Sequence, residues 1–299
     1  MNYHQLTMAD HIVVGVDGSA AGERVLEHAA ARAARIGVAL EIVHVTELPS
    51  VLEPTGLTMA APDIDQLQAI SEELLADARA RVTEQQPGVD VVTRNEVGNP
   101  AQLLAELSEG ADCLFVGRRG VGAVESALLG SVSASLASTA RCPLIVIGDR
   151  APIPTDGPLL VGLDDSEFSV AAARFALAEA AGRGTTVRAV NGYRTAPLAV
   201  PTEPELIEAL KEGEKAEAER ALGSALTAAG ADRAGVEVQR IVVEAAPAEA
   251  VLSQAKDAQL IVVGSQGKGF VRRLVLGSVS RQILQEAELP VVVINVPKE

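Results

Sequence analysis

Short β-branched runs alternate with longer stretches whose apolar residues recur at helical spacing, and the alternation continues along the whole chain. Residues 11–16 form a first apolar run, and the Ala-rich stretch 20–36 follows with helical periodicity. Residues 40–45 form a second run. A loop holding Pro49, Pro54 and Pro62 then leads into a long helical pattern over 64–85. A strand is predicted at 89–96, a helix with Pro in its first turn at 100–108, and strands at 113–116 and 144–147 flanking a helix at 131–139. The same series runs again from 159 to 296. Strands this short and apolar, separated by helices, predict parallel sheets covered on both faces.

The repetition is close to literal. At an offset of 147 residues, Asp17 meets Asp164, Ser19 meets Ser166 and Pro100 meets Pro247. At the same offset Gly117, Gly120, Gly130 and Ser131 meet Gly264, Gly267, Gly277 and Ser278, and Pro143 meets Pro290. A constant offset over so long a unit means duplication, and the period far exceeds that of a solenoid, so each copy is expected to have its own core. The predicted fold is therefore α/β: two tandem doubly wound domains, residues 1–150 and 151–299. Residues 149–158, with three prolines and a glycine, form the linker. Sheets of this kind bind ligands at the carboxyl ends of their strands.

Composition narrows the function. Apolar residues make up 48% of the chain and aromatics 2%, with no tryptophan, so the cores must be aliphatic. The formal charge of −15, with no lysine in the first 150 residues, argues against a nucleic-acid footprint. No apolar run is long enough to span a bilayer, and residues 1–10 lack the basic and apolar segments of a secretion signal, so a cytoplasmic location is expected. The two cysteines, Cys113 and Cys142, read as buried free thiols, because the second copy has Leu260 and Leu289 in their places. No histidine pair has metal-ligand spacing; His44 sits in a strand pattern as a core or ring-edge residue. The Glu/Lys-rich stretch 203–220 reads as a solvated helix face, and the second copy, lacking histidine, excludes a Ser–His triad there.

Two segments carry chemistry. After the fourth strand stand Gly117-Arg118-Arg119-Gly120, nine residues, and Gly130-Ser131; in the second copy, Gly264-Ser265-Gln266-Gly267, nine residues, and Gly277-Ser278. Glycine lets main chain approach a ligand closely, and the Gly-Ser pair opens a helix whose free N–H groups attract an anion. The alternative is that these glycines only make tight turns; retention of the whole spacing in both copies favours a phosphate cradle. The other segment ends the first strand: Val16-Asp17-Gly18-Ser19 and Leu163-Asp164-Asp165-Ser166. Asp there could accept from an adenine amino or ribose hydroxyl group, or the turn could simply cap the next helix. Neither a P-loop nor a G-x-G-x-x-G turn is present.

The pattern G-x2-G-x9-G-[ST] with a V-D-x-S turn resembles the ATP-binding class of universal stress proteins, once per copy and over essentially the whole chain. The resemblance implies a five-stranded parallel sheet in each domain and pairing between domains or subunits, a homodimer included, through the last strands at 144–147 and 291–294. It implies that Asp17 and Val45 contact adenine, with Gly15, Val16, Val116 and Gly117 near the adenosine. Gly120, Gly130, Ser131 and Val132 would hold the phosphates together with Mg²⁺. The matching positions are Asp164, Gly162, Leu163, Val263, Gly264, Gly267, Gly277, Ser278 and Val279, with Gly192 in place of Val45. Arg118 departs from the small hydroxyl residue usual in the family, and either adds a phosphate contact or crowds the pocket. Lys268, Arg272 and Arg273, against Glu125 in the first copy, lead to the expectation that the second copy holds phosphate at least as tightly as the first. The function expected from the resemblance is a nucleotide-dependent stress or signalling module. The alternatives are an enzyme on the same fold, either a slow ATPase or a nucleotide-dependent transferase, or a structural stress protein without nucleotide; no residue announces itself as a catalytic base, and the protein partner stays unidentified.

Overall fold

A computed structural model describes residues 11–47, 64–120, 129–153, 156–195, 203–267 and 275–296. The chain divides into two compact units, Met1–Asp149 and Arg150–Glu299. In the first, β1 (His11–Val16), α1 (Ala20–Ile36), β2 (Ala39–Thr46), α2 (Ile64–Gln85), β3 (Val91–Val97), α3 (Pro100–Leu107), β4 (Leu114–Gly117), α4 (Ser131–Thr139) and β5 (Leu144–Ile147) follow one another. The second repeats them as β6 (Leu159–Gly162), α5 (Glu167–Arg183), β7 (Val187–Tyr193), α6 (Pro204–Ala229), β8 (Val238–Glu244), α7 (Pro247–Ser253), β9 (Leu260–Gly264), α8 (Ser278–Glu286) and β10 (Val291–Ile294).

The strand order is β3-β2-β1-β4-β5 in the first unit and β8-β7-β6-β9-β10 in the second, with every pair within a unit parallel. Right-handed crossovers then force the first two helices of each unit onto one face and the last two onto the other. Accordingly α1 packs with α2 and α3 with α4, as α5 does with α6 and α7 with α8. The order reverses between β1 and β4, and between β6 and β9, and it is there that the carboxyl ends of two strands diverge and leave a crevice. The cores are aliphatic as expected: Ile12, Val13, Val14, Leu40 and Leu114 are fully buried in one sheet, and Leu159, Leu160, Val161 and Ile261 in the other. Burying each such side chain contributes about 1.5–3 kcal/mol.

Helix ends follow local chemistry. Ser19 and Ser166 cap α1 and α5, accepting from the N–H of Gly22 and Ser169, and Gly37 and Gly184 end those helices in the left-handed region at φ 72° and 66°. β3 begins two residues later than its apolar pattern predicts, because the Val89 N–H is held at 3.0 Å by the Gln86 carbonyl in a tight turn. α6 is solvated through its first turns, as read from its charges, and Leu206, Ile207 and Leu210 are exposed there as well.

One buried polar position is solved differently in the two copies. In the first, Arg32 on α1, 9% exposed, reaches Asp112 Oδ2 through Nε at 3.0 Å and Nη2 at 2.9 Å. The equivalent residues of the second copy are Glu179 and Gln259, and Arg183 bridges them at 2.7 and 2.8 Å. Beside Asp112 lie Cys113 and Cys142, both free and buried. Burial pushes both thiols above their ordinary pKa. Each is therefore protonated at pH 8 and without the thiolate that reacts. Native protein is expected to leave both unmodified by a thiol reagent at pH 8, and denatured protein to react twice; rapid native labelling would contradict the burial.

Candidate functional site

Each crevice is a cavity, of about 530 Å³ in the first domain and about 440 Å³ in the second. These volumes fall in the range of small-molecule sites. The first is lined by Gly15, Val16 and Asp17 from the end of β1, Val45 from β2, Val116 and Gly117 from β4, and Gly120, Gly130, Ser131 and Val132 from the turn into α4. The second is lined by Gly162, Leu163, Asp164, Gly192, Val263, Gly264, Gly267, Gly277, Ser278 and Val279. Every candidate residue drawn from the motif thus meets its fellows around one cavity per domain. Lys268, Arg272, Arg273 and Glu125 lie outside the described residues.

The aspartate turn works in two directions. Asp17 Oδ1 accepts from the Ser19 N–H at 3.0 Å and the Ser19 hydroxyl at 2.6 Å, while that same serine caps α1. In the second domain Asp164 Oδ1 accepts from the Ser166 N–H at 2.9 Å and from the hydroxyls of Ser166 and Ser169 at 2.5 and 2.6 Å. The other oxygen faces the glycine loop: a Cβ at Gly120 would stand 2.5 Å from Asp17 Oδ2, and one at Gly267 would stand 2.6 Å from Asp164 Oδ2. The cap and the carboxylate facing the cavity therefore use different atoms of one turn.

Opposite the carboxylate, α4 and α8 begin at Gly130 and Gly277 with no side-chain cap. Their first residues, Ser131 and Val132 or Ser278 and Val279, belong to the cavity wall. The helix dipole places partial positive charge there, where an anion is favoured. A serine two places on anchors each helix start, Ser133 donating to the Gly117 carbonyl and Ser280 to the Gly264 carbonyl, both at 2.6 Å. These serines fall outside the glycine motif, although the tetrapeptide Gly-Ser-Val-Ser is identical in both copies.

Two further residues were missed and one was misplaced. His44 lines the first cavity, and its Nδ1 proton bonds the Val16 carbonyl at 2.9 Å, fixing the strand end that bears Asp17. Arg119 lines that cavity too and is hydrogen-bonded to Asp149. Arg118, the arginine singled out from the sequence, lies instead against Gly148, where an added Cβ would be 3.3 Å from its Nη2. The residue that replaces Arg119 in the second domain is Gln266, which is buried and donates to the Val275 carbonyl at 3.0 Å.

The walls differ elsewhere. A Cβ at Gly192 would stand 2.9 Å from Pro247 Cα and 2.8 Å from Ala250 Cβ, so the absence of a side chain at the place of Val45 lets α7 approach β7. The second cavity also carries Tyr193, Arg194, Asp165 and, from α6, Glu214 and Glu217; the first has Thr46 and Glu47 at its rim. Among the described residues, no group of three or more His, Cys, Asp or Glu could hold a metal ion by itself.

Comparison with known proteins agrees with the duplicated fold. The family model described as "Universal stress protein family" matches residues 8–148 and again 157–295. A universal stress protein of Mycobacterium bovis and one of Mycobacterium tuberculosis are each 34% identical over 308 residues, with 96% of this chain and 96% of theirs covered. Among solved structures, a universal stress protein from Archaeoglobus fulgidus superposes with a TM-score of 0.70 at 21% identity, covering 97% of this chain and 98% of its own. That last likeness concerns the fold.

Proposed function

The chain belongs to the universal stress protein family, and we propose that each of its domains binds one adenine nucleotide, ATP with Mg²⁺, as a nucleotide-dependent stress or signalling module. One observation carries the reading: in both domains an uncapped helix N-terminus opens on a cavity opposite a carboxylate held at a glycine loop. The N–H groups at Ser131 and Val132, or at Ser278 and Val279, would hold phosphate oxygens. The carboxylate of Asp17 or Asp164 would accept from the adenine amino group, against the apolar wall of Val16, Val45 and Val116 or of Leu163 and Val263. Mg²⁺ would arrive on the phosphates and neutralise their charge, in keeping with walls that hold no metal cluster of their own among the described residues.

Binding is favoured over turnover. Fast phosphoryl transfer needs a residue that orients the attacking group as well as a cation. Arg119 offers the cation in the first domain, so slow hydrolysis there is the second reading. The net charge of −15 speaks against nucleic acid as partner, and among the described residues no helix is long and apolar enough to cross a membrane. A cytoplasmic location belongs to the same proposal.

The test is the nucleotide content of the purified chain. Denaturation should release adenine nucleotide approaching two molecules per chain, one for each cavity, and added Mg-ATP should raise the melting temperature. If no nucleotide is released and millimolar Mg-ATP neither binds nor stabilises, the reading is overturned, and the structural alternative without nucleotide takes its place.

A further inference from the structure

Arg119 has two claims on it. It lines the first cavity beside Gly120, Gly130 and Ser131, and its Nη2 is bonded to Asp149 Oδ2. Asp149 closes the first unit and opens the proline-containing linker. Its remaining oxygen, Oδ1, is buried without a hydrogen-bond partner among the described residues. The pair itself is only partly shielded, with side-chain exposures of 31% and 29%. The neighbouring Gly148 lies under Arg118, so two consecutive arginines brace the end of β5. The second domain cannot form this arrangement, since the equivalent residues are Gln266 and Val296.

We propose that Arg119 is an anion-selecting residue of the first site, shared between Asp149 and the ligand, so that a phosphorylated ligand draws the guanidinium away and unties the start of the linker. The inference rests on the nucleotide reading of the cavity. A partly exposed ion pair is weak. A polyphosphate offers several charged oxygens to the planar fork of an arginine and binds it more strongly than one carboxylate does. An unphosphorylated nucleoside offers none, so adenosine occupies the cavity and leaves Arg119 on Asp149. The first domain then reports the phosphorylation state of its ligand through the freedom of residues 149–153, and the second domain lacks that readout.

The test uses the full chain with the second site blocked by Gly267→Val, titrated with adenosine, AMP and Mg-ATP. Arg119→Gln, which installs the residue the second copy already tolerates, should weaken Mg-ATP about tenfold and change adenosine less than about twofold. Asp149→Asn, which removes the competitor, should tighten Mg-ATP by about threefold. Hydrogen exchange over residues 149–153 should rise with Mg-ATP but not adenosine, be high without ligand in Asp149→Asn, and ignore Mg-ATP in Arg119→Gln. Equal loss of Mg-ATP and adenosine in Arg119→Gln, or no gain in Asp149→Asn, overturns the proposal while leaving the nucleotide reading intact. Failure of the parent chain to bind Mg-ATP or adenosine at all overturns both.

Discussion

Replacing Gly120 by valine is expected to empty the first cavity while the second keeps its ligand, so that bound nucleotide falls from two per chain to one. Even the first added carbon would stand 2.5 Å from Asp17 Oδ2. That carboxylate cannot simply swing aside, because its other oxygen is tied to the N–H and hydroxyl of Ser19 at 3.0 and 2.6 Å. Either the turn after β1 or the glycine loop must move, and both belong to the proposed site. Loss of one charge-assisted contact together with blocked phosphate approach should cost at least about 3 kcal/mol, roughly a hundredfold in affinity. Gly267→Val is the mirror experiment, with Asp164 Oδ2 at 2.6 Å. Equilibrium dialysis against labelled Mg-ATP reads the stoichiometry directly. Two sites of undiminished affinity in either variant would mean that the ligand does not lie between the aspartate and the glycine loop.

The largest effect on stability is expected from Arg32→Glu. The substitution imports the residue found at the equivalent place in the second copy, Glu179, but without the arginine that satisfies it there. The new carboxylate would face Asp112 at a helix position that is 9% exposed. Breaking a buried pair and leaving like charges costs about 3–5 kcal/mol. For a domain of this size that corresponds to a fall of about 10 °C in the melting temperature. Calorimetry should show the first domain melting early and the second unchanged. Adding Ile36→Arg and Asp112→Gln transplants the complete arrangement of Glu179, Arg183 and Gln259, and should recover most of the loss. If Arg32→Glu alone melts like the parent, the Arg32–Asp112 contact contributes nothing to stability.

The strands and helices were legible because a parallel strand buried on both faces reads as an unbroken apolar run, and its covering helix reads at a different period. The glycines and aspartates of the cavities were legible through repetition, because the 147-residue offset singles out those that both copies keep, whereas Val16, Val45, Val116 and Val132 entered only with the family resemblance. What stayed hidden depends on geometry finer than spacing. Arg118 and Arg119 are adjacent and chemically identical. The Arg118 N–H still pairs with the Ile147 carbonyl at 2.8 Å, which keeps its side chain at the end of β5 and leaves Arg119 to turn toward the cavity. The role of His44 arises from strand register, since Val16 lies opposite it in the neighbouring strand. Ser133 and Ser280 had a signal, the identical Gly-Ser-Val-Ser, but their part is to hold the first glycine of each motif, Gly117 or Gly264, by a hydroxyl-to-carbonyl bond that spacing does not reveal.

Tyr193, at the end of β7, forms part of the second cavity's wall. The chain holds no tryptophan and only one other tyrosine, Tyr3, outside the described residues. The described wall of the first cavity has no aromatic ring beyond the imidazole of His44. The two sites therefore differ to the eye of a spectrometer. Ultraviolet emission from unlabelled protein carries a fluorophore set in the second wall, so filling of the second cavity can be followed by light, whereas the described wall of the first offers no tyrosine to report on it.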